Sequence, residues 1–240
     1  MLLALECPTS MLDMVQPFAD FDWILADKFL KDEEYAEFYR QSSNTKVVDN
    51  SVTELGEPMT IEDLKIVVED VKADIVVSPD WINDFEKTTE AYREFSQVTF
   101  EGCTPTIAGV LQGSTPEEAL RCLGVYRDIG TVMVPYRVGG SEKKDPDWLK
   151  ALRRQLVVTH IPKDWSVHLL GFTTLNEFSW YSRMPNVVSI DTDVPIRSGL
   201  MQVDFDDFDR MKDTSKITLT KDNWAAVCRN IAVLRKYSNG

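Results

Sequence analysis

The chain has 240 residues, 43% of them apolar and 27% charged, which is enough to bury one large core, and it carries no repeat or low-complexity segment. Its formal charge of −13 gives a surface that repels phosphate, so nucleic acid is not held by bulk attraction and has to be gripped locally. Apolar runs of strand length, an opening Met1 to Leu5 without a basic flank and its interruption by Glu6 and Pro8 exclude a membrane span and a signal peptide, and the expected compartment is the cytoplasm.

In chain order the candidate strands are Leu2 to Leu5, Trp23 to Ala26, Lys46 to Val48, Asp74 to Val77, Thr106 to Leu111, Thr131 to Val134, Val167 to Gly171 and Val187 to Ile190. Amphipathic spacing between them predicts helices over Asp32 to Tyr39, Thr60 to Val71, Ile82 to Phe95, Thr115 to Tyr126, Asp147 to Leu156 and Leu175 to Tyr181, with a last helix over Asp222 to Tyr237. Thr60 with Asp63, and Thr115 with Pro116, Glu117 and Glu118, are helix start signals. Arg235 and Lys236 suit the carboxyl end of the last helix.

Eight strands with helical crossovers predict a single α/β domain over residues 1–240, a compact (β/α)8 TIM barrel, with a doubly wound sheet as the alternative. Neither G-x-G-x-x-G nor a Walker-type phosphate loop is present, which removes the usual support for a nucleotide-binding sheet. Cys7, Cys103, Cys122 and Cys228 lie far apart with no C-x-x-C, so reduced, packed thiols are expected, with no disulfide framework and no compact metal site.

In a barrel of this kind the residues that follow each strand line one face. The third strand delivers Asp49 and Asn50, the fourth Ser78, Pro79 and Asp80, the fifth Gln112 and Gly113, and the eighth Asp191 at the start of a Pro-bounded loop. Taken singly, each of these is at least as well explained as a strand-end cap or turn residue. Three carboxylates and a carboxamide at homologous strand ends are what acid and base work on a glycosidic bond needs.

The same residues carry a family resemblance. Val47-Val48-Asp49-Asn50-Ser51-Val52-Thr53-Glu54-Leu55-Gly56 resembles the Asp-Ser-Gly-Gly region of the queuine-type tRNA-guanine transglycosylases. Ser78-Pro79-Asp80 falls where those enzymes have the acid after the fourth strand, and Gly109 to Gly113 is similar to their Gly-x-x-Gln-Gly. His168-Leu169-Leu170-Gly171 resembles their Tyr-Leu-Met-Gly, and Asp191 to Arg197 their Asp-Cys-Val-x-Pro-Thr-Arg. The motifs run in the family's order over about residues 45–200.

The departures are as specific. The family's three closely spaced cysteines and a histidine beyond the last strand have no counterpart, since only Cys228 follows Asp191 and no histidine does, so the zinc-binding subdomain is lacking. Ser51 and Val52 stand where the family has its glycine pair, no aromatic residue stands near Thr53, and Val134-Pro135-Tyr136-Arg137 replaces Gly-Gly-Leu. Asp-Asn-Ser without zinc is similar to the short phage and bacterial enzymes that exchange guanine for a 7-deazaguanine in DNA.

That resemblance implies a pentosyltransferase with no cofactor and no metal, acting on a flipped or single-stranded guanine in DNA and on a 7-deazaguanine (preQ0-like) base. It implies Asp191 as the nucleophile that holds the sugar as an ester and Asp49 as general acid and base. Asp80 and Gln112, with Gly113 and Asn50 beside them, become the base-binding set, and Arg197, Arg137 and Tyr136 the nucleic-acid contacts.

Other readings stay open. Arg197 equally fits an internal pair with Asp191 or Asp193, Tyr136 and Arg137 a structural loop, and His168 a hydrogen-bonded barrel residue more than a chemical one. The remaining basic clusters, Lys143, Lys144, Lys150, Arg153 and Arg154, then Arg183, then Arg229, Arg235 and Lys236, read singly as solvated helix faces. Trp180 and Tyr181 read as helix packing, and Asp204, Asp206, Asp207 and Asp209 as a solvated loop lacking the glycine and closing glutamate of a calcium loop. At the level of function, a tRNA-guanine transglycosylase, a nucleoside or glycoside hydrolase on the same barrel, and a non-catalytic nucleic-acid-binding partner subunit are the alternatives.

Overall fold

The computed structural model describes every residue except 127–128, 143, 172–174, 204–213, 215–216 and 239–240; the acidic run at 204–209 and Lys143 therefore lie outside the described residues. Eight strands, β1 (Leu2–Leu5), β2 (Asp22–Leu25), β3 (Lys46–Asp49), β4 (Ile75–Val77), β5 (Thr106–Val110), β6 (Thr131–Pro135), β7 (Ser166–Leu170) and β8 (Val187–Thr192), form one all-parallel sheet in the order β1-β8-β7-β6-β5-β4-β3-β2. The two ends of that order, β1 and β2, lie against each other, so the sheet is a nearly closed barrel with helices around it, the (β/α)8 architecture. Strands covered on both faces read as continuous apolar runs, which is why Val47 with Val48 and Val76 with Val77 are buried on both sides of the pleat.

The helices are α1 (Leu12–Val15), α2 (Ala26–Lys31), α3 (Glu33–Gln41), α4 (Val52–Leu55), α5 (Ile61–Val71), α6 (Phe85–Phe95), α7 (Pro116–Arg121), α8 (Asp147–Thr159), α9 (Leu175–Tyr181), α10 (Val194–Leu200) and α11 (Lys221–Ser238). The start signals work as expected: the Thr60 hydroxyl accepts from the Asp63 N–H at 3.1 Å and that of Thr115 from Glu118 N–H at 3.2 Å. The helix expected from Ile82 begins at Phe85, because Asp84 caps it and Asn83 takes a left-handed φ of 62°. The one expected to run to Tyr126 ends as α at Arg121 and tightens into a 3-10 turn over Cys122–Gly124.

The larger correction lies beyond β8. Asp191 is inside that strand, and the expected Pro-bounded loop is helix α10, with Pro195 in its first turn where a missing N–H costs nothing. Gly199 brings α10 against α11 so closely that a Cβ there would lie 2.5 Å from the Val227 backbone. Inside the barrel, Ala4, Phe21, Trp23, Val77, Val110 and Met133 fill the centre, while the shell between strands and helices is packed by residues such as Leu64, Val68, Leu169 and Phe178. All four cysteines are free. Among the described residues, no helix is long and apolar enough to cross a membrane.

Candidate active site

Parallel pairing brings the carboxyl ends of all eight strands to one mouth. Leu25 sits opposite Asp49 across β2 and β3, and Ala4 opposite Asp191 across β1 and β8, so the two acids expected to do the chemistry leave the sheet at the same end. A cavity of about 620 Å³ opens there, and Asp49, Asp80, Gln112, Tyr136, Arg137, Asp191 and Arg197 all line it.

Asp191 is 5% exposed and held on two sides. His168 Nε2 is 2.9 Å from its Oδ1, and the Gly171 N–H points at Oδ1 and Oδ2 from 3.2 and 3.3 Å. The other ring nitrogen of His168 contacts the Ser189 hydroxyl at 2.8 Å, and its ring stacks on Trp23 with centroids 4.7 Å apart and planes 8° apart. His168 is thus a hydrogen-bonded barrel residue, as expected, and its partner is the candidate nucleophile.

Asp49 ends β3, and its Oδ2 accepts from the Ser51 N–H at 3.0 Å. Ser51 holds a left-handed φ of 59°, the conformation that makes glycine the usual choice at such a turn. Burial, then the charges of Glu54 and Asp191, raise the Asp49 carboxyl well above the usual carboxylate range.

Asp80 is 1% exposed and lies between two amides: Asn50 Nδ2 donates to Oδ1 at 2.7 Å and Gln112 Nε2 to Oδ2 at 2.6 Å. Burial pushes its pKa up to about 6 against those two hydrogen bonds. The Gln112 Oε1 accepts from the Asn83 N–H at 3.0 Å. Each Asp80 oxygen has a second lone pair and Gln112 Nε2 a second hydrogen, so the pair still presents acceptors and a donor to a ligand.

Two of the expected base contacts do not reach the cavity. Asn50 is fully buried and spends its amide on Asp80, on the Ser78 carbonyl at 2.7 Å and on the Val52 N–H at 2.9 Å, so it positions Asp80. Gly113 is there for space: a Cβ would sit 2.6 Å from the Ala119 nitrogen, where α7 crosses the strand end. Arg197 makes the internal pair, with Asp193 at 3.0 Å and not with Asp191, while still lining the cavity. The Arg137 guanidinium lies 5.5 Å from the Tyr136 ring centroid.

The basic face expected of α8 is divided. Lys150 is 7% exposed and lines the cavity beside Tyr136, and Arg154 is 1% exposed, donating to the carbonyls of Val134, Leu170 and Gly171 and pairing with the equally buried Glu177 at 3.6 Å. Arg154 therefore holds the Gly171 peptide by its carbonyl while the N–H of that residue faces Asp191.

Glu6, Glu54, Asp193 and Trp23 also line the cavity and were not anticipated. Glu6 follows β1 directly, so the strand-end rule that singles out Asp49 applies to it equally. Its carboxyl is in hydrogen-bond contact with Asp191; burial first, then the charges of Asp191 and Asp193, raise its pKa well above the ordinary value. Glu54, at the mouth, is pushed up to about 7 by the surrounding walls and by Asp27, Asp191 and Asp193, although its side chain meets solvent. Among the described residues no group of three or more His, Cys, Asp or Glu side chains is arranged to hold a metal ion.

Neither a scan of protein-family models nor a search of curated proteins returns a match to this chain.

Proposed function

We propose that this protein is a base-exchange transglycosylase that replaces guanine in DNA with a 7-deazaguanine through an aspartyl-sugar ester. The observation that supports the reading is that Asp49 and Asp191, leaving β3 and β8 at one end of the barrel, face a single cavity whose wall also carries Asp80 and Gln112. Retention at C1′ requires two displacements. Asp191 attacks C1′ as guanine departs with the proton of Asp49; the entering base then gives its N9 proton to Asp49 and takes the sugar from Asp191. Asp80 accepts from the N1–H and amino group of the purine edge and Gln112 donates to O6, an order common to guanine and 7-deazaguanines.

The flipped nucleotide would be gripped by a few local cations, and among the described residues Arg137, Lys150 and Arg197 line the cavity. Trp23 offers an aromatic face there, although its ring is already stacked on His168.

The test is incubation with single-stranded DNA labelled in guanine, with and without a 7-deazaguanine. Guanine release only when the deazapurine is present is the expected result. Release in water alone would assign a hydrolase, and no release with retained DNA binding a binding module. Mass spectrometry of nucleosides from DNA and tRNA of expressing cells decides the polymer, and modification confined to tRNA overturns the choice of DNA.

A further inference from the structure

We propose that Glu6 is a further catalytic residue: its carboxyl, set beside that of Asp191 in one cavity, donates a hydrogen bond to Asp191 and makes Asp191 a better leaving group when the sugar ester is resolved. The proposal rests on the base-exchange reading and deepens it.

The contact is fixed by the sheet. Leu5 is in register with Thr192 across β1 and β8, and the Glu6 N–H continues the ladder to the Thr192 carbonyl at 3.0 Å, so the Glu6 side chain emerges beside that of Asp191 in the same cavity. Two carboxyl groups in hydrogen-bond contact share a proton, because two carboxylates offer only acceptors. Asp191 already accepts from the Gly171 N–H and contacts His168, so its carboxyl is oriented as an acceptor. The proton therefore resides on Glu6. The charged and titratable groups that face Glu6 are Asp191 and Asp193 from the end of β8, Glu54 from α4, Lys28 from α2, Tyr35 from α3 and its neighbour Cys7; acids predominate, which keeps that proton in place.

The chemistry balances without an added reagent. In the first displacement the C1′–N9 bond breaks, its electron pair leaves with guanine, Asp49 supplies the proton and an Asp191 oxygen bonds to C1′. Glu6 keeps its proton throughout. In the second, the entering base loses its N9 proton to Asp49, its nitrogen bonds to C1′, and the C1′–O pair returns to Asp191 as a carboxylate that the Glu6 hydroxyl stabilises. A donor aimed at charge that develops as a bond breaks acts most on that step.

The experiment is a denaturing quench during exchange, with the covalent protein–DNA adduct and the exchanged base both quantified for wild type, Glu6→Ala and Glu6→Gln. Loss of the donor in Glu6→Ala should slow ester resolution by about 100-fold, so that adduct accumulates. Glu6→Gln keeps an N–H donor of similar size; it should retain more of the resolution rate than Glu6→Ala and lose the alkaline fall in that rate that deprotonation of Glu6 produces. It also carries the test if Glu6→Ala does not fold. Wild-type resolution by Glu6→Ala, or an unchanged pH profile in Glu6→Gln, overturns the role of Glu6 while base exchange stands. Absence of both adduct and exchange in wild type overturns the base-exchange reading and this proposal with it.

Discussion

Asp80 is a structural knot and, on the proposed reading, also a recognition group. Its two oxygens are held by Asn50 and Gln112, and with a pKa of about 6 it is ionised at neutral pH and protonated in mild acid. A protonated Asp80 has lost an acceptor that the N1–H and amino group of a guanine-type edge both require. Affinity for a 7-deazaguanine base, measured by titration calorimetry, should therefore be level above about pH 6 and weaken about tenfold per pH unit below it. Affinity unchanged between pH 7 and 5 would remove Asp80 from the role of edge receptor. The residue itself is legible from its place after β4. Its pKa is not, because burial and the two amide partners come from three different strand ends.

At the level of elements, α10 decides where the end of β8 sits. Ser198 accepts from Asn230 Nδ2 of α11 at 2.9 Å, and Gly199 permits backbone contact with Val227, so α11 fixes the helix that begins two residues after Thr192. Gly199→Ala should separate the two helices, destabilise the protein by about 1–3 kcal/mol and lower activity by moving Asp191 and Arg197. Denaturant titration and the exchange assay test both parts; wild-type stability would show that α10 and α11 shift at little cost. The sequence concealed α10 because Val194-Pro195 reads as a break, although proline in a first turn is compatible with a helix. In α8 the signal was present and easily missed. Lys150, Arg154, Val157 and Val158 share one helical face by spacing, and that face is buried, leaving Trp148, Leu152 and Leu156 outside. Hydrophobicity alone points the opposite way.

For the whole molecule, the acids of the cavity and those of the surface act on stability in opposite senses. Asp49, Glu6, Glu54 and Asp80 have raised folded pKa values, so between the unfolded carboxyl range near 4 and their folded values the native state binds more protons than the unfolded chain. Their contribution is present in mild acid and lost as pH rises. For buried Asp80 alone, the rise to about 6 corresponds to about 3 kcal/mol. Asp32 and Asp145 are held low by the Thr9 hydroxyl and the Glu142 N–H respectively, and Asp20, against its own burial, by Arg235 and the Leu3 N–H. What these three add is present above their unfolded values and lost as pH falls through the folded ones. The melting temperature should therefore peak near pH 5 and decline by about 5–10 °C towards pH 8. A flat profile across that window would mean that the cavity acids are not strained in the free protein.

DNA binding, on the proposed reading, would draw on the other side of the same charge distribution. With a net charge of −13 and, among the described residues, three cations lining the cavity, the logarithm of affinity for single-stranded DNA should fall with that of salt concentration with a slope of about −2, reduced by about 0.7 for Arg137→Ala. A slope several times steeper, measured by fluorescence anisotropy, would place phosphates on surfaces away from the cavity.

The linear order of residues determined the alternation of strand and helix, since apolar runs and helical spacing are local properties. It also determined that Asp49, Asp80, Gln112 and Asp191 would gather at one mouth, since a parallel barrel sends every strand end to the same side. Only closure of the sheet decided that Glu6 meets Asp191, because β1 and β8 become neighbours through hydrogen bonds that join opposite ends of the ring. Packing likewise decided which cations are buried: Arg154 turns inward where carbonyls of β6 and β7 and the carboxylate of Glu177 replace the water it gives up. Such compensation depends on groups distant in the chain, so no local pattern contains it.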